Sequence, residues 1–273
     1  YSDWKPENRN HGGEFDFDVF RLNVNASYKK FDLAADYRFY PSSSGGGMLR
    51  EGWIGYRFND SHRLQIGLTT FPFGILPYTG NNYFFNLNYY VGLEDDADIG
   101  IKYLFHKDRW ELSFAYFQNA DLSGTGGDSE LSASRYAYDI AGRDKEAHQG
   151  NIRVAYHFGT RWKHQLGGSV LMGGLYNMDT RKTGFRSAFA LHYVVDYQRW
   201  NLKIQYTSYN LKPVQAPGED RRMVTMAAYG SSYRIVSRAD IYIVSLSCRI
   251  PVNKLFLDSI CPVSYTHLRA HET

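Results

Sequence analysis

The sequence predicts an all-β chain folded as an antiparallel, up-and-down transmembrane β-barrel, and three observations carry that prediction. First, segments with apolar residues at every second position come in pairs around polar turns. In residues 99–118, Ile99, Ile101, Tyr103 and Phe105 alternate, residues 106–109 turn the chain, and Trp110, Leu112, Phe114 and Tyr116 alternate again. Second, large aromatics fill one face of this hairpin while Gly100, Lys102, Glu111 and Ser113 fill the other, the pattern of strands with lipid on one side and water on the other. Third, short connections alternate with long ones, as barrels with tight turns on one rim require, whereas Greek-key sandwiches mix connection lengths.

Composition agrees. Tyr 23, Phe 17 and Trp 5 bring the aromatic share to 16%, and Gly is 25 against 8 Pro. Aromatic and glycine excess favours strands and tight corners. No run approaches 18 apolar residues, which removes a transmembrane helix, and the negative mean hydropathy suits strands with one wet face. The 31 basic and 28 acidic residues are dispersed, so nucleic acid is not an expected partner. Cys248 and Cys261 form no CxxC or paired framework, and no cofactor is implied.

Taken in order, residues 15–28 alternate with a slip near Val19 and Phe20, read as a bulge, after which Phe20, Leu22, Val24, Ala26 and Tyr28 share a face. Lys29 and Lys30 turn the chain, and Phe31, Leu33, Ala35, Tyr37 and Phe39 return. Residues 41–47 are a Pro, Ser and Gly loop. Ile54, Tyr56 and Phe58 answer Leu64, Ile66 and Leu68 across a turn at 59–63. Residues 72–97 lose the period and read as a long loop with an acidic cluster. A second long excursion is expected over 119–150, a loop of moderate length over 177–184, and an irregular stretch over 210–240 with a helical turn near 220–228. Strands follow each of these, the last turning at 251–254. Aromatics flank nearly every short turn, as in Tyr28 with Phe31, Phe105 with Trp110 and Tyr197 with Trp200, and would form a girdle at one interface.

Parity bears on both ends. If the short turns are periplasmic, the first strand runs inward from outside, which implies one strand upstream, with residues 1–14 as an external loop and a secretory signal beyond the sequence. About 11–12 strands are expected within residues 1–260. Residues 261–273 lose the alternation, and 264–273, SYTHLRAHET, resemble translated adaptor sequence and are expected to be non-native. His267 and His271 sit four apart in that stretch, without the third ligand a zinc site needs, so no metal is expected there.

By Gly74 the chain resembles the phosphate-selective porin O and P family of Gram-negative outer membranes. The carrying pieces are FRLNVNASYKKFDLAADYRF (20–39), LREGWIGYRF (49–58) and LQIGLTTFPFG (64–74), with DIYIVSLSCRIPV (240–252) resembling its late strands. The resemblance spans about 15–260 and rests on the order of the motifs. It implies a sixteen-stranded, homotrimeric porin integral to the outer membrane, in contact with its lipid and truncated at both ends here, that passes small hydrophilic solutes or inorganic anions such as phosphate. Thr70 and Phe71 stand before Pro72 where the family corner commonly carries Lys, so a lumen cation is missing and support for anion selectivity is reduced.

The face opposite the lipid gives Arg21, Asp36, Arg38, Arg57, Lys102, Glu111, Arg153 and Lys203 as pore-lining candidates, with His157, Asp196 and Arg249 on the same parity. Arg21, Arg38, Arg57, Lys102, Arg153 and Lys203 would make a basic ladder of the kind that sets selectivity in anion pores, while Asp36 and Glu111 on the same face argue for weak selectivity. Residues 72–98 are the candidate constriction, with Phe73, Tyr78, Glu94, Asp95 and Asp96 its expected contacts; the acidic cluster would bind a divalent cation or face solvent. The competing readings are a barrel hydrolase using His157, His192 and Ser169, and a soluble β-sandwich. Neither GxSxG nor HExxH occurs.

Overall fold

The structure is a computed structural model that describes residues 17–81, 85–120, 135–254 and 257–270. The chain runs β1 (Phe20–Tyr28), β2 (Phe31–Phe39), β3 (Gly47–Arg57), β4 (His62–Thr70), a one-turn helix α1 (Leu87–Tyr90), β5 (Ala97–Lys107), β6 (Trp110–Asn119), β7 (Asp139–Ile140), β8 (Asp144–Phe158), β9 (Trp162–Asn177), β10 (Lys182–Tyr197), β11 (Trp200–Lys212), β12 (Met223–Ala228), β13 (Ser231–Val236), β14 (Arg238–Cys248), β15 (Ile250–Lys254), β16 (Leu257–Ile260) and β17 (Val263–Ala270). Twelve of these strands form one continuous antiparallel sheet, β1-β2-β3-β4-β5-β6-β8-β9-β10-β11-β14-β17. That is the up-and-down order of a barrel wall, and it replaces the two stacked sheets a sandwich would need. Among the described residues the sheet is open, with β1 and β17 at its edges.

Sequence parity sets which face each strand shows. Leu22, Leu33, Ile54, Ile66, Ile101, Phe114, Ile152, Leu191, Ile204 and Val244 lie on the outer face, each more than a third exposed. A continuous apolar band of this size is stable when hydrocarbon covers it. At the rim of tight turns it ends in aromatics: Phe31 packs edge-on against Tyr56 at 5.2 Å, Trp110 lies 4.6 Å from Tyr156, and Trp162 stacks on Tyr197 at 3.9 Å. These rings are the interfacial girdle. The tightest turns put Lys29, Asp108 and Gln198 at φ of 54°, 55° and 51°, the left-handed geometry that two-residue hairpin connections call for.

The opposite rim carries the long connections, and parts of them among the described residues pack inward. A buried cluster joins Phe71, Phe73 and Leu93 of the 71–96 connection to Leu171 and Leu175 of β9, Ala188 and Ala190 of β10, Tyr209 and Leu211 of β11, and Ile241 and Ile243 of β14. Val224, Met226 and Ile235, from the β12–β13 hairpin, close it. Toward the loop rim, β9 to β14 are therefore apolar on both faces, lipid outside and loop inside.

Several sequence expectations are corrected. β1 starts at Phe20, with no strand at 17–19; Phe15 lies outside the described residues. The turn read at 106–109 narrows to 108–109, because His106 and Lys107 pair with Glu111 and Trp110. The strand expected to resume near 152 already starts at Asp144, and a register shift between Ala147 and Gly150 hid its alternation. The loop at 177–184 shrinks to 178–181, since Lys182, Thr183 and Gly184 already pair with Asn177, Tyr176 and Leu175. No helical turn occupies 220–228: Met223–Ala228 is strand β12, paired along β13, with Val224 and Met226 buried and Met223 and Thr225 half-buried between them. Residues 257–260 pair with β15 in a separate hairpin, and the twelfth place in the sheet is taken by Val263–Ala270 along β14.

Candidate functional site

The inner face of the first strands is organised on Asp36 of β2, whose side chain is fully buried. Arg21 reaches it with Nη2 at 2.8 Å and Nε at 3.0 Å, Arg38 at 3.4 Å, and Arg50 at 4.0 Å. Strict alternation from Ile54 would turn Arg50 outward; the register shift between Asp36 and Tyr37, where β2 meets β3, turns it inward. Arg50 then spans to Asp95 of the 71–96 connection at 2.5 Å. Nearer the tight turns, Arg57 holds Asp32 at 3.1 Å and donates to the Lys29 carbonyl at 2.8 Å. Further round, Glu111 of β6 accepts from Arg153 of β8 at 3.2 Å and faces His157 at 3.0 Å.

Residues 71–96 leave the wall between β4 and β5, and their first half lies against the inner faces of β8, β9, β11 and β14. The Gly74 amide donates to Ser169 Oγ at 2.8 Å, the Ile75 amide to Gln205 Oε1 at 2.8 Å, and the Asn81 amide to Ser245 Oγ at 3.1 Å. Carbonyls are met by wall cations: Arg153 Nε donates to Gly74 O at 2.8 Å, and Lys203 Nζ to Tyr78 O at 2.8 Å and Gly80 O at 3.2 Å. Lys102 does the same at the start of the connection, donating to Thr70 O at 2.7 Å. Two side chains add contacts, Thr79 Oγ1 to Gln205 at 3.3 Å and Asn81 Nδ2 to Asn201 at 2.5 Å. Gly74 sits at φ 61° so close to the Gln205 amide that a Cβ there would lie 2.5 Å from Nε2.

The five residues expected at the constriction divide. Phe73 is buried in the apolar cluster. Tyr78 donates to Asp95 at 3.2 Å, and Tyr136 donates to the same carboxylate at 2.7 Å. Glu94 accepts from the Thr79 amide at 3.0 Å and from Asn86 Nδ2 at 2.6 Å; burial pushes its carboxyl above the usual carboxylate range, against those hydrogen bonds. Asp96 leaves this group. Its carboxylate lies with those of Asp98 and Asp139, one oxygen of each within 4.8 Å of the others, and Arg135 binds Asp139 at 3.0 Å. The acidic run is thus split between two neighbourhoods. Of the hydrolase candidates, Ser169 holds the Gly74 amide, His157 faces Glu111, and His192 is buried on β10. His271 lies outside the described residues.

Sequence reading brought out most of the charged members of this wall and missed Asp32, Arg50, Gln205, Asn201 and Ser245. Gln205 alternates with Ile204 and Tyr206, so its inward parity was legible, but an uncharged amide carries no sign of what it holds.

Compared with known proteins, residues 1–231 match the family described as phosphate-selective porin O and P. The chain belongs to this family. It is an integral outer-membrane protein of the β-barrel class. Solved structures with similarity include the outer membrane channel DcaP of Acinetobacter baumannii, with TM-score 0.47 and 10% identity over 85% of this chain and 60% of that one. OmpT of Vibrio cholerae, solved as a loop L8 deletion mutant, gives 0.41 and 12% over 84% and 79%. A BenF-like porin from Pseudomonas fluorescens gives 0.37 and 9% over 93% and 86%. The chain spans 60% of the length of the DcaP channel. No match was found among curated proteins.

Proposed function

We propose that this porin gives small hydrophilic solutes, inorganic anions such as phosphate among them, a passive water-filled path across the outer membrane, and that it works as a homotrimer, as its family resemblance implies. The observation that carries the reading is the seat of residues 71–96: a connection long enough to stand in solvent instead crosses the inner wall and is hydrogen-bonded to β8, β9, β11 and β14. A loop held there narrows the path and sets what passes. In this reading Arg21, Asp36, Arg38, Arg57 and Glu111 line the path, while Lys102, Arg153 and Lys203 hold the loop. Phe73 anchors the loop in the apolar cluster and Tyr78, Glu94 and Asp95 fix its inner turn.

Selectivity follows from how the wall cations are engaged. Rings of free Arg and Lys favour anions. Here Arg21 and Arg38 share Asp36, Arg57 meets Asp32 and Arg153 meets Glu111. The net preference for anions is therefore modest. The test is single-channel recording in planar bilayers with reversal potentials in a salt gradient. Stable ohmic steps are expected, and replacing Arg21, Arg38 and Arg57 by neutral residues is expected to move the reversal potential toward cations. A closed barrel with hydrolase activity would overturn the channel reading, and an unmoved reversal potential would overturn the role of the cations.

A further inference from the structure

A cavity of about 510 Å³ opens on the loop side of the inner wall. Its lining includes Arg38, Tyr78, Phe85, Glu94, Tyr136 and Tyr229. The volume lies within the range of small-molecule sites, which are aromatic with a few convergent polar groups. Two of these rings are open: Phe85 is 45% and Tyr78 38% exposed, although both belong to the inward connection and neither is on the lipid face. Phe85 is backed by Tyr89, stacked at 3.9 Å and 9°, so it is held as a rigid plate. Tyr136 and Tyr229 meet edge-on at 5.9 Å, and their hydroxyls are fixed by Asp95 and by Tyr89. Bare aromatic faces on the inner side of a barrel wall are costly in water unless a ligand covers them.

Charge narrows the ligand class. Arg38, the lining cation, lies 4.3 Å over the Tyr136 ring and is already ion-paired with Asp36 at 3.4 Å. Asp18 and Glu94 bring carboxyls to the same lining. An inorganic or aromatic anion would meet these carboxyls without an uncommitted cation to offset them. A neutral ring solute with many hydroxyls suits both features. Its C–H face stacks on the negative face of an aromatic ring, and its hydroxyls donate to carboxyls and accept from the guanidinium. We propose that this cavity is a saccharide-binding subsite, with Phe85 and Tyr78 as the stacking platform and Arg38 and Glu94 as the polar contacts. It deepens the channel reading and rests on it for how solute reaches the cavity.

The test uses maltotriose as probe and the protein in detergent, read by saturation-transfer NMR, alongside planar-bilayer conductance. Saturable binding is expected, with the half-saturating concentration raised about tenfold in Phe85→Ala and restored in Phe85→Trp, which keeps a plate. Phe85 carries no side-chain hydrogen bond that a variant would break, and recovery in Phe85→Trp separates lost stacking from lost fold. Absent binding to the parent protein, equal binding to Phe85→Ala, or displacement of maltotriose by inorganic phosphate would each overturn the proposal. Conductance steps without sugar binding refute the subsite and leave the channel standing, whereas binding without steps refutes the channel and supports the subsite.

Discussion

Gln205 is where the seat of the inward connection is most open to a quantitative test. Its Oε1 accepts from the Ile75 amide at 2.8 Å and from Thr79 Oγ1 at 3.3 Å, and its Nε2 donates to Thr207 at 3.0 Å. Gln205 is 1% and Ile75 3% exposed, so water does not replace a lost partner. Gln205→Leu keeps the volume and leaves a buried amide without an acceptor, at a cost of about 1–3 kcal/mol. At about 1.4 kcal/mol per tenfold, the seated form loses a factor of roughly 5 to 150 against the released one. The bonds at Gly74, Tyr78, Gly80 and Asn81 remain, so the single variant keeps its mean conductance but shows more frequent brief current excursions. Adding Arg153→Met and Lys203→Met removes the cations that grip Gly74, Tyr78 and Gly80, and there the conductance itself should rise and residues 71–81 should become sensitive to protease. A triple variant with the parent's conductance and the parent's protease pattern would refute the idea that this loop sets the path.

Other substitutions probe the wall, the loop and the lipid face. Asp36→Asn leaves Arg21, Arg38 and Arg50 without the charge they share and should cost about 3 kcal/mol of refolding free energy, at the low end for a broken buried pair because Arg21 is half exposed. The same variant should move the reversal potential toward anions, and an unchanged potential would show that these guanidinium groups do not face the conducting path. Glu94 has its carboxyl raised by burial, so its contribution to loop seating is complete below the unfolded carboxyl's range and is lost as pH rises through the raised value. Current noise should therefore fall on acidification from neutral pH, and if Glu94→Gln kept that pH dependence the assignment would fail. Ile66→Lys puts a cation midway along β4 on the outer face and should cost about 2–4 kcal/mol in vesicle refolding titrations; a loss near zero would mean that this face does not meet hydrocarbon.

The wall was legible in the sequence because a strand between lipid and water leaves one mark at period two. Leu22, Ile66, Ile101 and Phe114 fall where that mark puts them. It failed where the period is locally broken. The register shift between Ala147 and Gly150 concealed the first part of β8, residues 144–151, and the one beside Asp36 concealed the inward turn of Arg50. On β10 the outward Phe189 and Leu191 alternate legibly with inward Ala188 and Ala190, but nothing local announces that those alanines pack under the loops. Inward parity for Lys102, Arg153 and Lys203 could be read directly, but their partners are main-chain carbonyls 32, 79 and more than 120 residues away, and nothing local announces those.

How the inward connection is attached has a consequence for variation. Most of the bonds that seat it use its backbone: the amides of Gly74, Ile75 and Asn81 and the carbonyls of Gly74, Tyr78 and Gly80. The wall supplies the side chains and the loop supplies peptide groups, which every residue type apart from proline offers alike. A side chain such as Phe85 can therefore be exchanged while the mooring stays in place. On the proposed channel reading, substitution in one short segment changes what lines the path without unseating it.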